Sequence, residues 1–306
     1  DNIDDIIRMC RRRIRVPDQW YGDYLAAMGA ARIGERRLKS FVEKYGAQAV
    51  REFITAWLDY SERRASGAIQ ALPGGSILAK GVHDPIEPFL PDGVHIQVGI
   101  EIDSDAGRIK VDLRDNPDSV DAGLNLTEAT ATMSAAQAVF CCLDADIPHN
   151  SGSLRRIEVL LRENCVVGIP RFPHSCSVAT TNMTDTIINA ILAGFAELGD
   201  GYGFSQGNMC NGAGTGVCSG KDWRVGGAPY VNQMFMSAGG MPASANNDGM
   251  HGMVNPVSVG LVYRDSVEVN EQRFPFQVQC VRALEDSCGA GRRRGGPASE
   301  VILGPR

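Results

Sequence analysis

Two polar constellations fall in turn-rich segments. In NNDGMHGM, Asn246, Asn247, Asp248 and His251 share one glycine loop. An imidazole beside a carboxylate can act in general acid–base chemistry, and neighbouring amides can hold a polar substrate. Asp248 and His251 are therefore the candidate catalytic residues, and Asn247 is a candidate substrate ligand. The competing reading is a plain turn, because Asn and Asp bond their own backbone. In DADIPHNSGSLRRIEV, residues 144–159, the polar Asp146, His149, Asn150 and Arg155 precede an expected strand. Ligands are often held in such loops, which makes Asn150 and Arg155 candidate substrate ligands. The alternative is that Asp146 and Asn150 only cap and turn the chain.

Other segments invite chemistry and fail on spacing. GAGTGVCSGKD, Gly212 to Asp222, has Thr215 five positions before Gly220 and Asp222 after Lys221, so it is not a phosphate loop. GAGRRRGG, Gly289 to Gly296, lacks dinucleotide spacing. It reads either as an anion-holding loop, with Arg292, Arg293 and Arg294 around a carboxylate or phosphate, or as a tight β-turn with exposed arginines, the favoured reading. His83, His95, His149, His174 and His251 are scattered without metal-ligand spacing, so no metal site is expected from this chain alone. No G-x-S-x-G elbow supports a serine nucleophile, and Cys176 has His174 near it only in sequence.

The elements that must position these groups follow from periodicity. From Asp18 to Tyr45, Tyr24, Leu25, Met28, Leu38, Phe41 and Val42 recur at helical steps, with Asp18 as the expected N-cap. Gly46 breaks the pattern, and a second helix is expected to about Leu72, giving an antiparallel hairpin. VHIQVGIEID and RIKVDLRD alternate around a turn and predict a β-hairpin. Leu124 to Asp144 reads as an alanine-rich helix packed on a sheet, IEVLLRENCVV as a strand, and residues 178–198 as a third helix. Residues 199–306 read as glycine loops and short strands, including SVGLVYRDSVEV and FQVQCVRAL. The expected class is α+β: a helical hairpin, then mixed sheets with packed helices and a glycine-rich, mainly β C-terminal part. A helical hairpin segment over residues 1–90 precedes an α/β core over residues 91–306, the two read as one continuous domain.

Composition bounds the function. The 306 residues are 43% hydrophobic and 22% charged, as in ordinary globular chains, and a net charge of −6 gives no overall basic field for nucleic acid. Nine cysteines, an odd number without a C-x-x-C pair, fit a reducing cytoplasm better than a disulfide framework. No apolar run approaches the roughly 20 residues that span a bilayer, and the start lacks a signal-peptide pattern. A first residue other than Met, and a stop soon after an apparent strand, are compatible with cuts at both ends.

Taken in order, WYGDYLAAMGAARIGERRL, LDYSERR, LNLTEATATMSAAQAVF, DADIPHNSGSLRRIEV, NNDGMHGM and EDSCGAGRRRGG resemble the hydantoinase B family across nearly the whole chain. That family includes B subunits of N-methylhydantoinases, half of 5-oxoprolinases, caprolactamase-type enzymes and alpha-type subunits of acetone and acetophenone carboxylases. The resemblance implies a hydantoinase A-type partner that binds ATP and phosphorylates the substrate oxygen of a cyclic amide or ketone, after which the B-type chain completes hydrolysis or carboxylation. A scaffold subunit without catalysis is the third reading. The family's metal-binding H-x-x-D motif and later histidine have no counterpart here, so ATP and a divalent metal are expected in the complex, with neither bound by motifs of this chain. The family's glycine loop has Gly-Gly before Ala-Gly, whereas this chain has Cys288 and Gly289 there.

Overall fold

The computed structural model describes residues 3–177, 182–207, 216–237, 239–252 and 264–306. Its fold is α+β. Three helices open it, α1 (Asp4–Arg13), α2 (Pro17–Tyr45) and α3 (Ala47–Gln70). Val16, not Asp18, is the N-cap of α2, because Pro17 with its preset φ takes the first helical position; Asp18 instead pairs with Arg11. Gly46, at φ 84°, ends α2 and starts α3. The apolar stripe expected on α2 is there but largely uncovered: α2 buries no residue, and Leu38 and Phe41 are each 57% exposed.

A four-stranded sheet follows, in the order β1 (Gly75–His83), β2 (Val94–Asp103), β3 (Arg108–Asp112), β4 (Ile157–Leu160). The expected hairpin is β2 and β3, and β1, unforeseen in the sequence, pairs antiparallel to β2 along its full length. Alternation does the work here. Val94, Ile96, Val98, Ile100 and Ile102 all turn inward on β2, each burial contributing roughly 1.5–3 kcal/mol. β3 and β4 run parallel, so a crossover must join them, and it carries α4 (Glu128–Cys141) and α5 (Ser151–Leu154). β4 is shorter than the expected 157–167 strand because Asn164, at φ 52°, turns the chain.

The third helix is α6 (Met183–Phe195), followed by a short 3-10 turn; residues 178–181 of the expected span lie outside the described residues. Nearly every residue of α6 is buried, since it packs on β1 and β2 on one side and on α4 on the other. The alanines of α4 therefore approach α6 more than the sheet. Beyond α6, β5 (Val217–Asp222) pairs with β6 (Ala228–Gln233), and β7 (Phe276–Ala283) with β8 (Ser299–Pro305). The strand expected over SVGLVYRDSVEV falls partly outside the described residues, and its end is helical: Ser266 accepts from the Val269 N–H and caps α7 (Val267–Arg273).

Candidate functional site

The two polar constellations occupy different places. Asn150 caps α5, its Oδ1 accepting from the Gly152 N–H at 2.8 Å and its Nδ2 donating to Ser61 Oγ of α3 at 2.8 Å. Arg155 donates to Asp59 at 3.0 Å and to Glu62 at 2.8 Å, while Arg156 pairs with Glu62 and Arg64 with Asp144, each at 2.8 Å. The motifs LDYSERR and DADIPHNSGSLRR are thus two halves of one polar seam fastening α3 to the crossover. Hydrogen bonding from Arg155 holds the Glu62 carboxyl below its ordinary value. A backbone N–H from Asp146, then Arg64, does the same for Asp144. Gly152 is required here, since a Cβ would run into the Leu58 backbone carbonyl.

Asn247, Asp248 and His251 lie instead on a loop that the structure joins to the arginine loop. β7 and β8 form a hairpin whose connection runs over residues 284–298, far beyond the usual two to five residues, so the expected tight turn is absent. Ser287 closes the base of that loop, donating to the Leu284 carbonyl at 2.7 Å and accepting from the Ala298 N–H at 2.8 Å. Asp248 Oδ1 accepts the Arg294 backbone N–H at 2.9 Å, and the Gly249 N–H donates to the Arg294 carbonyl at 2.7 Å. Met241 bonds Met250 at 3.0 Å and Gly296 at 2.9 Å. Gly240 and Gly296 approach so closely that a Cβ on either would strike the other's backbone. A third loop joins through the Ser205 N–H, which donates to the Ala243 carbonyl at 2.8 Å.

These three loops, residues 199–207, 240–245 and 289–296, enclose a cavity of about 780 Å³ with Arg292, Arg293 and Asp200 as its charged lining. Asn247, Asp248 and His251 are exposed and stand outside that lining; the Ser244 Oγ accepts the Asn247 N–H at 2.9 Å. A second cavity, about 800 Å³, lies between β1 and α6 and shares Gln206 and Gly207 with the first. Its wall includes His83, 6% exposed, with Nδ1 2.8 Å from the Asp84 carbonyl and Nε2 3.1 Å from Asn182 Nδ2. A carbonyl oxygen can only accept, so Nδ1 carries a proton and donates it to Asp84. Sequence reasoning passed over His83 as one of five scattered histidines; the signal that could have found it is its place at the end of the unforeseen strand β1. Among the described residues, no three His, Cys, Asp or Glu side chains stand together to hold a metal ion, so the residues present do not fit the metal that the resemblance implies. Residues 217–222 of the rejected phosphate loop are strand β5, and Gly212 to Thr215 lie outside the described residues.

Long N-terminal helices, of which α3 is fastened to a mixed sheet while α2 buries no residue and so does not pack as the expected antiparallel hairpin, followed by joined glycine loops, make up the fold shared with two solved structures. The ATP-dependent caprolactamase from Pseudomonas jessenii superimposes with a TM-score of 0.82 at 22% identity, over 100% of this chain and 52% of that one. Nucleotide-free acetone carboxylase does so with a TM-score of 0.80 at 17% identity, over 99% of this chain and 41% of that one. The chain belongs to the hydantoinase B/oxoprolinase family, whose profile matches residues 1–303. An uncharacterized protein of Methanocaldococcus jannaschii is 27% identical over 95% of this chain and 48% of its own length. The chain spans about half the length of the curated relatives it matches.

Proposed function

We propose that this chain is the B-type portion of an ATP-dependent cyclic-amide hydrolase of the hydantoinase/oxoprolinase kind, acting in the cytoplasm with a hydantoinase A-type subunit. An amide oxygen is a poor leaving group, and phosphorylation by the partner makes it a good one. The B-type chain then positions the activated ring and its developing charge. The observation that carries this reading is the bond from the Arg294 backbone N–H to Asp248, which joins NNDGMHGM to the glycine loop whose Arg292 and Arg293 line a substrate-sized cavity; Asn247, Asp248 and His251 stand beside that cavity rather than in its lining. In this reading His251 is the proton-transfer group, Asp248 holds the arginine loop in place, and Asn247 is the substrate ligand. Asn150 and Arg155 act at a distance, by fastening α3. Residues 1–90 are the arm segment and 91–306 the core, with β1 bridging the two as one unit. ATP and the divalent metal come from the rest of the complex.

The likeness to acetone carboxylase favours a second reading, an alpha-type subunit of a ketone carboxylase. Reconstitution with an A-type subunit decides between them. ATP-dependent opening of hydantoin, 5-oxoproline or caprolactam, reduced roughly 100-fold by His251→Ala, is the expected result. ATP-dependent fixation of bicarbonate onto acetone or acetophenone would establish the carboxylase, and neither activity would leave a scaffold subunit.

A further inference from the structure

Resting on that reading, we infer that the arginine loop is a phosphoryl-binding site: Arg292 and Arg293, with the loop backbone, take the dianionic phosphate of an activated substrate at the mouth of the three-loop cavity. Four observations converge. Arg292 and Arg293, both exposed, stand at the open mouth of a cavity of about 780 Å³ and contribute to its lining. Neither meets a carboxylate within ion-pair distance among the described residues, whereas Arg64, Arg114, Arg155, Arg224 and Arg282 each have one within 3.0 Å. Asp248 accepts the Arg294 backbone N–H with one carboxylate oxygen and so organises the loop. The backbone N–H groups from Ala290 to Arg293 bond no acceptor among the described residues, leaving donors free on a glycine loop.

Successive free N–H groups on a glycine turn form an anion-binding concavity, and guanidinium forks match the oxygens of phosphate with two N–H donors each. Two cations against the single Asp200 favour a dianion over a monocarboxylate. Gly240, Gly249 and Gly296 fix the loop's position by backbone contact, so the site is held before the ligand arrives.

The test is isothermal titration of the full chain with inorganic phosphate at low salt, with acetate as the carboxylate comparison and far-UV circular dichroism to confirm folding. Saturable phosphate binding, tighter than acetate, is expected. The double variant R292Q/R293Q should weaken it at least roughly tenfold, and R294Q, outside the cavity lining, should leave it within about twofold. Absence of saturable binding, equal affinity for acetate, an unaffected double variant, or an equal loss in R294Q would each overturn the inference. Ring opening in the reconstituted complex is a separate readout. Turnover with no phosphate site overturns this inference alone, and a phosphate site without turnover overturns the hydrolase reading alone.

Discussion

At the scale of single residues, Asn150 shows how a polar side chain in a loop can serve the fold instead of a ligand. Both ends of its amide are engaged, one capping α5 and the other reaching Ser61 of α3. Replacing Asn150 with Ala removes the cap and leaves Ser61, which is fully buried, with one partner fewer. The expected cost is about 1–2 kcal/mol in urea denaturation, from the lost cap and hydrogen bond together. Gly152 is stricter. A methyl group there meets the Leu58 backbone, which can move only if α3 shifts, so Gly152→Ala should destabilise by about 1–3 kcal/mol. A loss below roughly 0.5 kcal/mol in either variant would mean that α3 and α5 are not held together as described.

At the scale of elements, the seam between α3 and the crossover makes stability depend on pH. Glu62 titrates below its ordinary value of 4.5 because Arg155 bonds its charged form. A carboxyl lowered in the folded state contributes stability that is complete above the unfolded value and is lost as pH falls through the folded one. Wild-type stability, followed by circular dichroism, should therefore fall as pH drops below about 4.5, and Glu62→Gln should flatten the curve in that range. An unchanged acid limb in that variant would show the pair to be fully solvated. The seam also explains what the sequence made legible. β2 and β3 were readable because one face is buried and alternation records it, and α2 and α3 because Gly46 interrupts a helical period. β1 was hidden by glycines and a lysine in GSILAKGVH, and its strand identity comes from pairing with β2. The end of SVGLVYRDSVEV was misread because Ser266 caps a helix over β-branched valines. For the candidate site, the two glycine-rich motifs were legible separately, but their junction through Asp248 and Arg294 joins positions far apart in the chain, and no local period encodes such a contact.

At the scale of the whole molecule, stability is distributed unevenly. The core runs from Ile69 through the sheet to α4 and α6, whereas α2 contributes no buried residue and residues 30–41 are exposed throughout. Isolated helices are marginal in water, and most helical stability in proteins comes from packing one face. The segment's own supports are small: the exposed Lys39–Glu35 pair and the Phe41–Tyr45 ring contact at 5.1 Å. Local opening should therefore be far easier in the middle of α2 than in β2, whose alternate residues lie in the core and whose backbone pairs on both sides. Hydrogen exchange followed by mass spectrometry on the isolated chain should show residues 30–41 exchanging at least roughly 100-fold faster than residues 94–103, a difference of about 2.7 kcal/mol in opening free energy. Equal protection in the two segments would mean that α2 gains packing in solution which the folded single chain does not provide, and the arm would then have to be treated as part of a larger core.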